Sequence, residues 1–233
     1  LRALHASCLH IFRHIAQVLL GGRQPAGVEL VQSDEKPDGA ICAQALCGIA
    51  LYQCAGGNGM EKGRIIFLNG VTSSGKTSIV EALQDREDIF FYVVANDLFQ
   101  EMVGERFLRQ DYWKYLSEVI IMMYHTAKLY SDMGKNVLID GVLVERKEIK
   151  PHYKQLLNIL KDNPLDIVEV YCPPDICRQR NIARGDRYET QSDEQYELMA
   201  KNIAYSAKVD TSLYSAEECA ETIISELITG HIS

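Results

Sequence analysis

Eight consecutive residues, Gly70-Val71-Thr72-Ser73-Ser74-Gly75-Lys76-Thr77, constrain this chain more than any others. They fit the pattern GxxxxGK[ST] and stand between a short apolar run, residues 64–69, and a stretch with helical spacing, residues 76–86. A strand, a glycine-bearing loop and a helix in that order form the local context in which such a pattern cradles phosphate. Glycines at 70 and 75 permit a loop whose backbone N–H groups face inward, and the helix that follows adds the positive end of its dipole. Phosphate oxygens are the natural guest. Lys76 is placed to reach the β- and γ-phosphates of a nucleotide, and Thr77 offers its hydroxyl to a magnesium ion that bridges the same oxygens. Thr72, Ser73, Ser74 and Ser78 complete the expected phosphate-binding run. The motif predicts a nucleoside triphosphate as ligand.

The chain has 233 residues, 47% of them hydrophobic, which suits one sizeable globular domain with room for an appendage. A formal net charge of -8 argues against a general binder of nucleic acid or of an anionic membrane, so a small molecule is the expected partner. No apolar run reaches the length of a membrane span, and the early segment 1–20 is interrupted by Arg13 and His14. Seven cysteines in no paired zinc spacing read as free thiols, with Cys172 and Cys177 as packing residues, and a cytoplasmic protein is the expectation. His10 and His14 stand one helical turn apart without an evident third ligand, so no metal is assigned to them.

Basic and acidic side chains balance over residues 1–59, which leaves the whole negative charge to residues 60–233. That shift predicts a boundary after the linker-like Ala55-Gly56-Gly57-Asn58-Gly59. Leu4, Cys8, Ile11, Phe12, Ile15, Val18 and Leu19 recur at helical intervals before Gly21-Gly22, so the first segment is expected to be partly helical. The chain opens with Leu1 and has Met60 just before its first clean strand. Three readings of residues 1–59 stay open: a small module, a part of a larger polypeptide, or an upstream read-through.

From Met60 onward strands alternate with helices, which predicts an α/β fold with a parallel sheet covered on both faces. Five strands are expected at 64–69, 90–95, 136–140, 166–172 and near 205–210. Helices are expected at 76–86, 97–107, 112–133, 145–162, 174–184, 193–203 and 215–229, with Ser192 to Gln195 as a capping box for the sixth. Open sheets of this kind bind ligands beyond the carboxyl ends of their strands, where Gly70, Asp97 and Asp140 would converge.

Asp97, just past the second strand, is the expected group for orienting an acceptor hydroxyl and taking its proton, with helix N-capping as the alternative. Asp140 ends the run Val137-Leu138-Ile139 as a magnesium-holding carboxylate would, or as the start of a turn. Arg180, Arg184 and Arg187 recur at about one helical turn, so clustered guanidiniums on a closing lid could meet a phosphoryl group in flight, with a solvated basic face pairing with Asp175, Asp186 or Glu189 as the alternative. Phe99, Met102, Val103, Phe107 and Trp113 are read as core side chains before pocket walls.

Taken together, residues 65–77, the strand-end Asp97, Arg184-Gly185-Asp186-Arg187 and Val209-Asp210-Thr211-Ser212 resemble the chloramphenicol phosphotransferase-like family of P-loop kinases over nearly all of residues 60–233. The resemblance implies a parallel P-loop fold and transfer of the ATP γ-phosphate to an alcohol of a small molecule. It implies Asp97 as base, Lys76 and Thr77 for ATP and magnesium, and the lid arginines for transition-state charge. Chloramphenicol is one implied acceptor among several, with antibiotic resistance as the role that goes with it. Residues 1–59 have no counterpart in the family. Two other readings stand beside this one: a kinase of a metabolite or nucleotide sugar, and a nucleotide-switched regulatory protein with no acceptor.

Overall fold

The computed structural model describes residues 61–147, 149–185 and 189–229. The readings for residues 1–59, including His10 and His14, and for Met60, Asp186 and Arg187 fall outside them. Strand β1 (Ile65–Asn69) is wholly buried. Its alternating side chains feed two cores: Ile65 and Phe67 join one cluster, Ile66 and Leu68 the other. A strand buried on both faces is the expected outcome of a continuous apolar run in a parallel sheet.

Around it stand β2 (Tyr92–Ala95), β3 (Val137–Gly141), β4 (Leu165–Tyr171) and β5 (Ala207–Asp210), in the order β2-β3-β1-β4-β5. Every pairing is parallel. One face is covered by α4 (Tyr112–Asp132) and α5 (His152–Ile159), which contribute Leu116, Ile120, Met123, Tyr124 and Leu156 to the first cluster. The other carries α1 (Lys76–Gln84) and α8 (Ala216–Ile224), whose Ile79, Leu83, Ala220 and Ile223 complete the second. The remaining helices are α2 (Asn96–Gln100), α3 (Glu105–Gln110), α6 (Pro174–Arg184) and α7 (Gln191–Leu198), and a π-helical turn, Ser225–Thr229, ends the description. No helix among the described residues is long and apolar enough to cross a membrane.

Three helix expectations need correction, and the simplest is 193–203, which runs only Gln191–Leu198 before Met199 bridges Val144. The span 97–107 is not one helix: it breaks between α2 and α3, where Gly104 takes an extended backbone at φ -59 and ψ 135. Glycine is a poor helix former, and the break lets both Phe99 and Val103 pack against the first core. The span 145–162 is helical only from His152, because the residue before Pro151 is biased to extended geometry. Leu143 to Glu145 instead run as an extended strap: Val144 bridges Met199 in antiparallel fashion, the Glu145 N–H donates to Leu198 O and the Ala200 N–H to Leu143 O, both at 2.7 Å.

The register sets the level of the site. Leu68 and Ala95 both pair with Asp140, so the carboxyl ends of β1, β2 and β3 finish side by side. Asn69 locks that end of the sheet, donating to the Tyr205 hydroxyl at 2.7 Å and accepting the Leu143 N–H at 2.8 Å.

Candidate active site at the carboxyl ends of the strands

The loop from Gly70 to Gly75 wraps the start of α1, and its glycines are required by the space around them. A Cβ at Gly70 would lie 2.6 Å from both Ser74 Oγ and Val170 O. Gly75 has φ +96, in the left-handed region where a side chain is strained. Ser73 shares that region at φ 57. A glycine-bounded loop wound in this way at the head of a helix is the kind of backbone that binds phosphate oxygens.

Lys76 lies along the rim. Its Nζ donates to Val71 O at 2.9 Å and stands 3.9 Å from Asp140 Oδ1. Thr77 Oγ1 donates to Asp140 Oδ2 across 3.4 Å. Burial raises the Asp140 carboxyl above its ordinary pKa; the Lys76 ammonium and the Thr77 hydroxyl oppose that shift, and the neighbouring Asp97 carboxylate adds to it. A desolvated carboxylate beside a second one is a place where a cation is favoured. The donors at hand, a carboxylate and a hydroxyl oxygen, are the hard ligands that magnesium takes.

Asp97 lies in the first turn of α2, one residue in from its start, and its side chain is exposed. Ala95 precedes the helix in extended geometry with no side-chain cap, so N-capping is not the role of Asp97. Asn96 beside it lines the same hollow with an Oδ1 that is buried and has no hydrogen-bond partner among the described residues.

Arg180 is a fastener. Its guanidinium donates to Ser73 O at 3.4 Å, to Thr211 Oγ1 at 3.0 Å and to Thr211 O at 2.8 Å, while Thr211 Oγ1 donates to Ser74 O at 2.6 Å. The loop after β5 is thereby tied to the phosphate loop. Arg184, one turn further along α6, faces the same hollow.

These groups line a single cavity of about 780 Å³. Gly70, Thr72, Ser73, Gly75, Lys76, Thr77, Ser78, Asp97, Asp140, Arg180 and Arg184 all border it. Ser74 does not, being fully buried beneath the loop, and Arg187 falls outside the described residues. Of the apolar side chains after Asp97, Phe99, Val103 and Trp113 pack on the first core, Met102 and Phe107 are exposed, and none borders the cavity. Cys172 and Cys177 are buried packing residues beside Val71; burial first, and Cys172 second, push the Cys177 thiol up to about 12, far from a reactive thiolate.

Among the wall residues that escape a reading of the sequence are Asn96, Gln195 and Tyr214. Asn96 stood next to a recognised Asp and Tyr214 close after a strand end, so position could have flagged both. For Gln195 the sequence pointed elsewhere. The expected capping box at Ser192 does not form: α7 begins after Thr190 without a side-chain cap, Ser192 is buried against Asn181, and the Gln195 amide oxygen accepts the Thr72 N–H instead.

A parallel sheet in this order, with a glycine-bounded phosphate loop after its central strand and two carboxylates across the crevice, defines a P-loop kinase fold. The model of the family described as "Chloramphenicol phosphotransferase-like protein" matches residues 63–228, and the chain belongs to that family. A Mycobacterium tuberculosis protein named "Putative O-phosphotransferase" is 24% identical, the match covering 74% of this chain and 85% of the relative. An adenylyl-sulfate kinase of Prochlorococcus marinus is 27% identical, over 72% of this chain and 85% of that protein. Among solved structures, the Mycobacterium tuberculosis APS kinase CysC in complex with AMPPNP and APS superposes with a TM-score of 0.56 at 17% identity, over 71% of this chain and 98% of that one.

Proposed function

We propose that this protein transfers the γ-phosphate of ATP to a hydroxyl group of a small molecule. The observation that carries the reading is the convergence of the phosphate cradle, Lys76, Asp140 and Asp97 on one cavity. A volume of about 780 Å³ is within the usual range of small-ligand sites, and its two sides differ in chemistry. Loop N–H groups, Lys76, Arg180 and Arg184 are suited to phosphates; Asn96 and Asp97 are suited to a hydroxyl-bearing guest.

In this reading the acceptor oxygen attacks the γ-phosphorus, the bond from phosphorus to the β,γ-bridging oxygen breaks, and ADP departs with that electron pair. The acceptor proton passes to the Asp97 carboxylate, assistance typically worth about 10²- to 10⁴-fold. Lys76 balances charge on the β- and γ-oxygens, which in a loose transition state is most of what a protein can supply. Arg180 keeps the cradle in shape through Ser73 and Thr211, and Arg184 adds positive charge at the rim. Thr77 and Asp140 would hold a magnesium ion, which supplies charge neutralisation and fixes the geometry of the phosphates.

The acceptor class stays wider than chloramphenicol, which the family resemblance supports as one member of a test panel. The experiment is a screen of hydroxyl compounds, chloramphenicol included, with γ-labelled ATP. The expected result is acceptor-dependent ADP release with the label recovered as a phosphate monoester. ATP binding with no acceptor-stimulated release by any compound would contradict the reading and favour a nucleotide-switched protein.

A further inference from the structure

The hydrogen bond from Gln195 to the phosphate loop has no part in the mechanism above. Gln195 lies in the middle of α7, and its side-chain oxygen accepts the Thr72 N–H across 123 residues of sequence. Both residues border the cavity. Loops of this kind bind phosphate oxygens through backbone N–H groups, and the Thr72 N–H, at the cavity wall, is one that the Gln195 amide oxygen holds here. No second acceptor can use that donor fully at the same time.

The helix that carries Gln195 is itself well anchored. Ser192 Oγ accepts from Asn181 Nδ2 at 3.2 Å, Asp193 lies 3.8 Å from Arg178 Nε, and the Tyr196 hydroxyl donates to Cys172 O. At its end, Leu198 O accepts the Glu145 N–H at 2.7 Å from the strap that follows β3. These contacts join α7 to α6, which bears Arg180 and Arg184, and to the segment leaving Asp140. Gln195 therefore connects that whole assembly to the cradle through a group chemically similar to the ligand.

We propose that Gln195 is a positioning residue that competes with phosphate for the Thr72 N–H, clasping the loop when the cradle holds no phosphate and yielding the donor when a phosphoryl oxygen arrives. The exchange runs in that direction because an N–H bond to a charged phosphate oxygen is roughly twice as strong as one to a neutral amide oxygen. The competition subtracts from nucleotide affinity and favours departure of ADP after transfer. The inference rests on the proposed function only in requiring that the cradle bind a nucleotide.

Opposite effects of two substitutions test it on the full chain, with ADP and AMPPNP dissociation constants measured by calorimetry. Gln195→Ala removes the competitor and should tighten ADP by about two- to tenfold, the range set by the net value of one neutral hydrogen bond. Gln195→Glu grips the same N–H more strongly and opposes the phosphate charge, so ADP should weaken by about tenfold or more. Gln195→Asn is one methylene too short to reach and should follow Gln195→Ala, which separates loss of the clasp from loss of the amide. A purely structural Gln195 would give weaker binding in both the Ala and Glu variants, and that result overturns the proposal. Unchanged affinities in a wild type that binds ADP overturn it alone, whereas no ADP binding by the wild type overturns the proposed function with it.

Discussion

His152 shows how a single side chain can carry a pH dependence away from the site. It opens α5 fully buried, with Nε2 3.1 Å from Ser117 Oγ and Nδ1 without a partner among the described residues. Burial lowers its pKa from 6.5 to about 4. Between those values the unfolded chain takes a proton that the folded one refuses, so the stabilisation is complete above about pH 6.5 and is lost as pH falls toward 4. Thermal unfolding should register a loss of about 2 kcal/mol from this residue between pH 7 and pH 5. In His152→Gln the midpoint should vary less over the same interval; an equal pH dependence in both proteins would contradict the assignment. At this scale the sequence reveals residues whose meaning is local. Lys76 and Thr77 belong to one contiguous motif, and Asp97 and Asp140 are marked by the apolar runs that end at them. Gln195 and the Asn69 to Tyr205 lock depend on partners more than a hundred residues away, and no local pattern encodes such a distance.

Helices were legible where their ends carry a chemical signal. The span 112–133 matches α4 closely, and Asp111 caps it by accepting the Lys114 N–H. Pro173-Pro174 and Gly185 bracket α6 as an N-terminal proline and a C-terminal glycine should. The reading failed where apolar spacing continued through a breaker, at Gly104 and at Pro151, because periodicity records a buried face and not the continuity of the backbone. It also misplaced a capping box. Among the described residues the one that forms is at Ser215, whose hydroxyl accepts the Glu218 N–H while Glu218 takes the Ser215 N–H, and it fixes the start of α8 under the second core. Replacing Ser215 with Ala should cost about 1 kcal/mol. In a domain of this size that is a fall of roughly two to four degrees in the thermal midpoint. An unchanged midpoint would mean that the cap adds nothing to α8.

The layered fold of the described residues was legible because alternation of apolar strands and amphipathic helices prescribes layers before any contact is known. Five parallel strands follow from it; the central place of β1 is set by contacts the alternation does not encode, and the register then brings the ends of β1, β2 and β3 to one level. Every strand among the described residues lies within 65–210. A protein of residues 60–233 is accordingly expected to fold and to keep the activity, and circular dichroism with the labelled-ATP assay checks both; an unfolded product from a chain that is folded when entire would place residues 1–59 in the core. The central claim is a division of labour across the crevice, with the loop and Lys76 for the nucleotide and Asp97 for the acceptor. Single-turnover transfer and ATP dissociation constants for Asp97→Asn, with Lys76→Ala as the contrasting variant, test it most directly. Asp97→Asn should slow transfer by about 10²-fold or more with ATP affinity little changed, while Lys76→Ala should remain folded and lose transfer. Wild-type transfer by Asp97→Asn, or a metal-dependent loss of its ATP binding, would contradict the account.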